Sequence, residues 1–493
     1  MVRDSTGRRD RSRVSRRTFV AAASAAAGGT LAAAGCLGRA ADENTVVLSG
    51  DTDFEDIMHS EGDAPSVQQA LWNAGLDENI RVEVRPGPDD TVQRRSTYEM
   101  ALEADRSPPD VFMMDSGWTI PFILRDHTLN LEEHLSGDAL GRVEEEYVDM
   151  AVETARHPGT DALHAVPLFP DFPTIQYRKD LVEDAGYDTA DWGTNPLSWG
   201  KFADVVADTY SQSNVDYGFT TQAAAYEGLS CCTFNETMTS FGGAYFGGAD
   251  NLFTAGDRPI TVDEEPVLDA IRMMRSFIGG GGDFPSICPS AIVQWTEEEA
   301  RGPFTGGNAI AHRNWPYSIA INGAEDEFGE DLGVMPVPYG VPEGEAEYEG
   351  TGGTAAALGG WHLTVNPHTE KLDRSLQVVE AFTHDEVMLT LFQLIGWLPP
   401  KLGLLDEVTP EEAGPVARYV EPIRVAGENA IPRPVTDVWP EQSAVIFQEV
   451  HSAYRGVKSP EQAMSDLQTR LEESERDVRE AAGGGDGGDS GGS

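Results

Sequence analysis

From Thr45 onward short β-rich runs alternate with helical segments, and this alternation narrows the fold more than any other feature of the chain. Runs 45–49, 80–85 and 110–114 read as strands, with helical stretches at 67–76 and 91–104 between them. A strand, a covering helix and a second strand make a parallel pair, so the pattern predicts an α/β lobe. Residues just past the carboxyl ends of such strands face a crevice, which puts Asp115, Ser116 and Trp118 where ligands bind. Trp118 taken alone suits a core equally well. A second unit starts near Phe169, with a strand at 174–177 and helices at 199–210 and 266–277. Strands at 331–336 and 360–365 then turn back towards the first unit, followed by a helix at 374–383 and amphipathic helices at 443–454 and 462–471. Repeated crossings would make a hinge, although two successive domains fit the same pattern. The expected division is 45–165 for the first part of lobe 1, 166–328 for lobe 2, 329–386 for a return to lobe 1, and 387–480 mainly for closing helices of lobe 2.

The ends of the chain read differently. Ser15-Arg16-Arg17-Thr18-Phe19 precedes an apolar, Ala-rich run at 20–34 that is too short for a comfortable membrane span, and Cys36 is the first cysteine. The set resembles a twin-arginine lipoprotein signal, with Ala33 where such signals usually carry Leu. It implies removal of 1–35, a lipid on Cys36, a tether at 36–44 and residence on the extracellular face of the membrane. Segment 481–493 is Gly-rich, without apolar anchors, and is expected to be disordered.

Removing 1–35 leaves 28 basic against 81 acidic residues, a net charge of −53. Nucleic acid is excluded as a partner by that field. Lysine occurs only at 179, 201, 371, 401 and 458, and the acids are spread through ordinary domain sequence, a halophilic surface. Disorder is not implied, because nine Trp, 13 Tyr and 19 Phe within 40% hydrophobic content can bury a large core. Cys231, Cys232 and Cys288 remain, and the expectation is one disulfide between Cys288 and either of the vicinal pair. No zinc or other metal spacing occurs, and no cofactor is implied.

No catalytic constellation stands out. So many carboxylates fall at nearly any spacing by chance, so Glu297-Glu298-Glu299 and Asp89-Asp90 read as solvated. Gly279 to Gly282 precede Asp-Phe-Pro rather than Lys-Ser, and read as a loop. Gly488-Asp489-Ser490-Gly491-Gly492 has no strand before it, and His164 and His312 have no nucleophile partner in the sequence. Aromatic residues beside glycine, proline and hydrogen-bonding groups are more informative: Trp118, Trp295, Trp315, Tyr317 and Trp361, with Arg433 before Pro434. A sugar offers flat C–H faces ringed by hydroxyls, so its pocket needs aromatic plates with carboxylates or arginines at their edges. Each ring singly fits a core as well as a pocket.

At PDVFMMDSGW (109–118), QYRKDL (176–181), NWPYSIA (314–320), GGWHLTVNP (359–367) and RPVTDVWPE (433–441) the chain resembles the extracellular solute-binding proteins of ATP-driven importers, of the maltose and trehalose type. The resemblance runs through most of 45–471 and implies a two-lobed periplasmic-binding-protein fold of type II, each lobe a mostly parallel sheet flanked by helices and joined by hinge crossings. It implies a monomer that closes on a mono- or disaccharide and delivers it unchanged to a membrane permease. It also places Asp115 as a hydroxyl acceptor, Arg94 as a donor, Trp315 and Tyr317 as stacking rings, Gly360 and Trp361 on a crevice loop, and Arg433 as the second-lobe arginine. Phe169 and Gln176 depart from the family's usual aromatic hydroxyl and ring, while Asp171 stays available. Other solutes on the same fold, such as glycerol 3-phosphate or a charged oligosaccharide, are a second expectation because Arg94 and Arg433 could neutralise an anion. A secreted glycoside hydrolase is a distant third.

Overall fold

Eleven strands among the described residues sort into two open sheets and one short pair. A computed structural model describes residues 43–60, 65–88, 90–406, 408–409 and 414–483, so the twin-arginine segment, Cys36, Asp89 and 484–493 lie outside it. The strands are β1 (Thr45–Gly50), β2 (Arg81–Pro86), β3 (Val111–Asp115), β4 (Val166–Asp171), β5 (Thr174–Arg178), β6 (Tyr217–Thr220), β7 (Ala309–Asn314), β8 (Leu332–Met335), β9 (Ala356–Ala357), β10 (Gly359–Val365) and β11 (Ala430–Ile431). The first sheet runs β2-β1-β3-β10-β4, the second β6-β7-β5-β8, and β11 pairs with β9. In the first sheet β1 is parallel to β2 and β3, whereas β10 is antiparallel to both its neighbours. In the second, β6 and β7 are parallel and β5 is antiparallel to both β7 and β8.

Sequence dictates these places. Val46, Val47 and Leu48 form an unbroken apolar run that is fully buried, as a strand covered on both faces requires. β2, at the sheet edge, instead alternates Val82 and Val84 inward with Arg81, Glu83 and Arg85 outward. Helices flank each sheet, giving each lobe its own core. Val46, Leu48, Val111, Met113, Leu363 and Val378 belong to the first, and Ile175, Phe202, Phe219, Phe277, Met335 and Trp439 to the second. Two closing helices, Trp439–Tyr454 and Pro460–Gly483, cover the second core. The latter does so through Ala463, Met464, Leu467 and Leu471, one helical stripe. Ala481 to Gly483, expected in the disordered tail, end that helix.

The lobe boundaries differ from the sequence expectation at three points. β4, assigned to lobe 2, pairs with β10 in the first sheet, and β8, expected in the return to lobe 1, pairs with β5 in the second. Helix Asp385–Ile395 sets Val387, Met388 and Leu391 in the first core, while its Phe392 joins Phe172 and Leu398 in a smaller one. A buried strand is apolar whichever sheet it joins, so periodicity finds the strand and not its neighbours. The chain therefore crosses at β4 to β5, again at β9 to β10, and once more beyond the helix Asp385–Ile395.

The disulfide is also corrected. Cys231 and Cys232 bond to each other within the turn Leu229–Thr233, and Cys288 is a buried thiol whose titration is pushed up by burial alone. The bridge joins chain neighbours, whereas the Cys288 amide donates to the Phe277 carbonyl. His312 and His362 are fully buried between hydrogen-bonding hydroxyl and amide groups, and burial lowers both to about 3, so they stay neutral. Among the described residues no helix is long and apolar enough to cross a membrane.

Candidate functional site

The crossings bring most of the candidate residues together where the two lobes meet, the candidate crevice. Asp115 is the last residue of β3 and the N-cap of helix Ser116–Ile123, its Oδ1 accepting from the Gly117 amide at 2.7 Å. A Cβ at Gly117 would lie 2.5 Å from the Arg433 side chain, which would have to shift from its place beside Asp115 to admit one. Arg433 follows β11 on the second lobe and lies across Gly117 to fork Asp115, with Nη1 at 2.9 Å from Oδ1 and Nη2 at 3.3 Å from Oδ2. This bidentate pair joins the lobes. Behind it sits a residue that sequence reasoning missed: Glu227, buried, with Oε1 3.7 Å from Arg433 Nη1 and Oε2 4.0 Å from Arg95 Nη1. One glutamate among 83 acidic residues, in an unremarkable Tyr-Glu-Gly stretch, carries no sequence signal.

Trp361 lies opposite Asp115 in the β3–β10 register, and its ring meets the edge of Trp118 at 6.0 Å and 79°. The Arg94 guanidinium is 5.1 Å from the centre of the Trp361 ring. Arg94 is buried, its Nε donates to the Pro88 carbonyl at 2.9 Å, and its Nη1 is 3.7 Å from Asp51 Oδ2. Asp51, also missed, caps the helix Thr52–Met58; burial pushes its carboxyl up while Arg94 opposes the shift. Trp118 packs with Tyr98, Phe112 and Phe122, which is the core reading. Its Nε1, however, is buried with no hydrogen-bond partner among the described residues, as are Arg94 Nη1 and Arg433 Nε. Unmade hydrogen bonds of this kind cost about 1 to 3 kcal/mol each, and these three belong to residues packed about Trp361 and Asp115.

From the second lobe, Trp315 follows β7 as the N-cap of the helix Pro316–Asn322, with the Arg313 guanidinium 4.0 Å from its ring centre. Arg313 is fixed in turn by Glu236, whose Oε2 accepts from Nε at 2.9 Å. Gly359 lies at the base, where a Cβ would stand 3.4 Å from both Trp315 Nε1 and the Asp171 Cβ. Asp171, half-buried, has its carboxyl pushed well up by burial, with Arg313 opposing. Gly360 has φ +128° and would put a Cβ 2.5 Å from the Phe169 carbonyl, so the bend in β10 admits no side chain. Phe169 stacks on Trp397 at 4.3 Å within the first core. Gln176 is held inside the second lobe by Ser318 at 2.5 Å and Asn322 at 2.8 Å. Both departures from the aromatic pattern thus serve packing in this chain.

Two candidates are engaged by neighbours within the second lobe. The Tyr317 hydroxyl donates to Glu298 at 2.7 Å, and Trp295 packs edge-on against Tyr217 at 5.9 Å, with its carbonyl accepting from Ala223 and Ala224. The acidic triplet, expected to be merely solvated, is structural: Glu297 takes the Tyr226 hydroxyl at 2.6 Å, Glu298 takes Tyr317, and Glu299 closes a capping box with Thr296. Among the described residues no group of three His, Cys, Asp or Glu could hold a metal. A surface depression of about 720 Å³, lined by Arg275, Gly280, Phe284 and Tyr454, shares no residue with this crevice.

Residues 60–388 match the family model of the bacterial extracellular solute-binding proteins. A probable ABC transporter-binding protein of Deinococcus radiodurans is 28% identical over 301 residues, 60% of this chain and 63% of the relative. A probable amino-acid ABC transporter periplasmic-binding protein of Sinorhizobium fredii is 22% identical over 313 residues, 63% of this chain and 64% of the relative. The chain thus spans less than two thirds of the length of these curated relatives. Among solved structures, maltose-bound MalE3 of T. maritima is 25% identical with a TM-score of 0.70, covering 87% of this chain and 99% of that one. A solute-binding protein of Thermotoga lettingae with bound alpha-D-tagatose is 17% identical with a TM-score of 0.69 over the same shares, a likeness of fold.

Proposed function

Because the chain belongs to the bacterial extracellular solute-binding protein family, we propose that it captures a sugar or polyol between its two lobes and delivers it unchanged to the permease of an ABC transporter. The observation that carries this reading is the crevice at Asp115 and Arg433. Trp361 and Trp315 supply aromatic faces there, and Arg94, Arg433 and Trp118 hold unused donors nearby. Rings cover C–H faces and charged edges take hydroxyls, which is what a polyhydroxylated solute needs. Likeness to a maltose-bound protein favours a maltose- or trehalose-like disaccharide as the finer reading. The lobes close on it by rotation about the β4–β5 and β9–β10 crossings. Hydrolysis is not part of the proposal: Asp115 is engaged by Arg433 and by its own helix, and the family whose model the chain matches is one of binding proteins.

Calorimetric titration in molar salt with maltose, trehalose, D-mannitol, ribitol and D-tagatose is expected to give saturable binding for at least one of them, and chromatography to recover the solute intact. Heat from none of the five would overturn the reading; cleavage of a disaccharide would replace it with an enzyme. Export and anchoring are proposed from Arg16, Arg17 and Cys36. The variant Cys36→Ser is expected to appear in the medium, and its retention in the membrane fraction would remove the lipid from the proposal.

A further inference from the structure

Glu227 lies where the lobes meet and is used by nothing described so far. It stands in the second lobe between Arg433, which reaches across to Asp115, and Arg95, which reaches back from the first lobe's helix Thr91–Leu102. Charges alternate along this line, crossing between the lobes twice. Yet Glu227 makes contacts of 3.7 and 4.0 Å with its two arginines, longer than hydrogen bonds. Its Oε1 is buried without a hydrogen-bond partner among the described residues, and so are Arg95 Nε and Arg433 Nε. A carboxylate removed from water needs hydrogen bonds to offset its lost hydration, and here three facing groups have them unmade. Burial pushes the Glu227 carboxyl up, Asp115 adds to the shift, and Arg433 and Arg95 oppose it.

Charge balance sets the class of ligand. At the Asp115 end of the site Asp51, Asp115 and Glu227 face Arg94, Arg95 and Arg433, three acids against three bases, while at the Trp315 end Arg313 faces Glu236 and Asp171. A phosphate or carboxylate entering this balanced set would meet the buried Glu227 as a like charge. A hydroxyl can donate to Oε1 and accept from an arginine at once. We propose that Glu227 is a specificity-determining residue that accepts a hydroxyl of the ligand on Oε1 and, with Arg95, restricts the crevice to uncharged polyhydroxylated solutes. This rests on the sugar- or polyol-binding reading above, and it discriminates against anionic solutes on the same fold.

The neutral solute that binds best in the five-member panel is titrated beside glycerol 3-phosphate, glucose 6-phosphate and glucosamine, using the intact protein, Glu227→Gln and Arg95→Gln in molar salt. The unaltered protein is expected to prefer the neutral solute to every charged one. Glu227→Gln is expected to bind the neutral solute at least tenfold more weakly and to gain affinity for a phosphate ester, because the site then carries one surplus positive charge. Arg95→Gln leaves one surplus negative charge and is expected to gain affinity for glucosamine instead. This second variant decides the matter should the first fail to fold, as judged by circular dichroism. If the unaltered protein prefers a phosphate ester, or if neither variant shifts the preference for charge, the assignment of Glu227 falls while sugar binding stands. If no solute binds the unaltered protein, the functional reading falls and this one with it.

Discussion

Moved from molar to tens of millimolar salt, the protein is expected to lose its fold. The full chain carries 83 acidic against 35 basic residues, a net charge of −48. Two unscreened charges 10 Å apart in water repel by about 0.4 kcal/mol, and the Debye length grows from about 3 Å at 1 M to about 30 Å at 0.01 M. At low salt each surplus carboxylate therefore feels many others. Several dozen such pairs exceed a native stability of roughly 5 to 15 kcal/mol. Local pairing does not offset this, since the cations are already spent: Lys458 serves both Glu449 and Asp466, and Arg272 serves Glu265, Asp269 and Glu461. Circular dichroism melts in a potassium chloride series from 3 M to 0.05 M are expected to show the melting temperature falling steadily and the native signal lost at the low end. An unchanged melting temperature in dilute buffer would show that the acidic surface is tolerated without screening.

How far the sequence spoke for itself follows from which interactions are local. Strands and helices were legible because alternation and helical periodicity are written in consecutive residues: 45–49 became Thr45–Gly50, 91–104 became Thr91–Leu102 and 360–365 became Gly359–Val365. Sheet membership was not, because β4 and β8 are apolar whichever neighbours they take. At the crevice, Asp115, Trp361 and Arg433 could be named because each stands in a short segment with its own turn residues, and family resemblance joined those segments. Glu227, Asp51 and Arg95 could not be named. Their places depend on contacts made over long separations, and an acidic residue in so acidic a chain is no signal. The vicinal disulfide escapes a sequence reading for a related reason: three cysteines permit three pairings, and only the fold shows that Cys288 remains a thiol.

The larger of the binding effects is expected at Arg433. Its fork holds Asp115 across the lobes, and its Nη1 is also the nearer cation to Glu227 Oε1. Arg433→Ala would leave two carboxylates facing one another in a desolvated crevice, and breaking a buried pair by removing one partner costs about 3 to 5 kcal/mol. Because these charges meet only when the lobes are together, that cost falls on the closed form, and affinity for the bound solute is expected to drop by about two to four orders of magnitude. Trp315→Ala removes one face and leaves the latch, so a smaller loss is expected, about 1 to 3 kcal/mol by analogy with bases stacked on aromatic rings. Arg433→Lys separates charge from geometry: an ammonium restores the positive charge but not the two parallel hydrogen bonds, and its affinity is expected between those of the unaltered protein and the alanine variant. Calorimetry measures the affinities, and small-angle scattering with and without solute reports closure. In Arg433→Ala the scattering is expected to stay that of the open form at solute concentrations that compact the unaltered protein. Compaction and affinity both preserved in Arg433→Ala would show that the Asp115 fork accompanies closure without holding it.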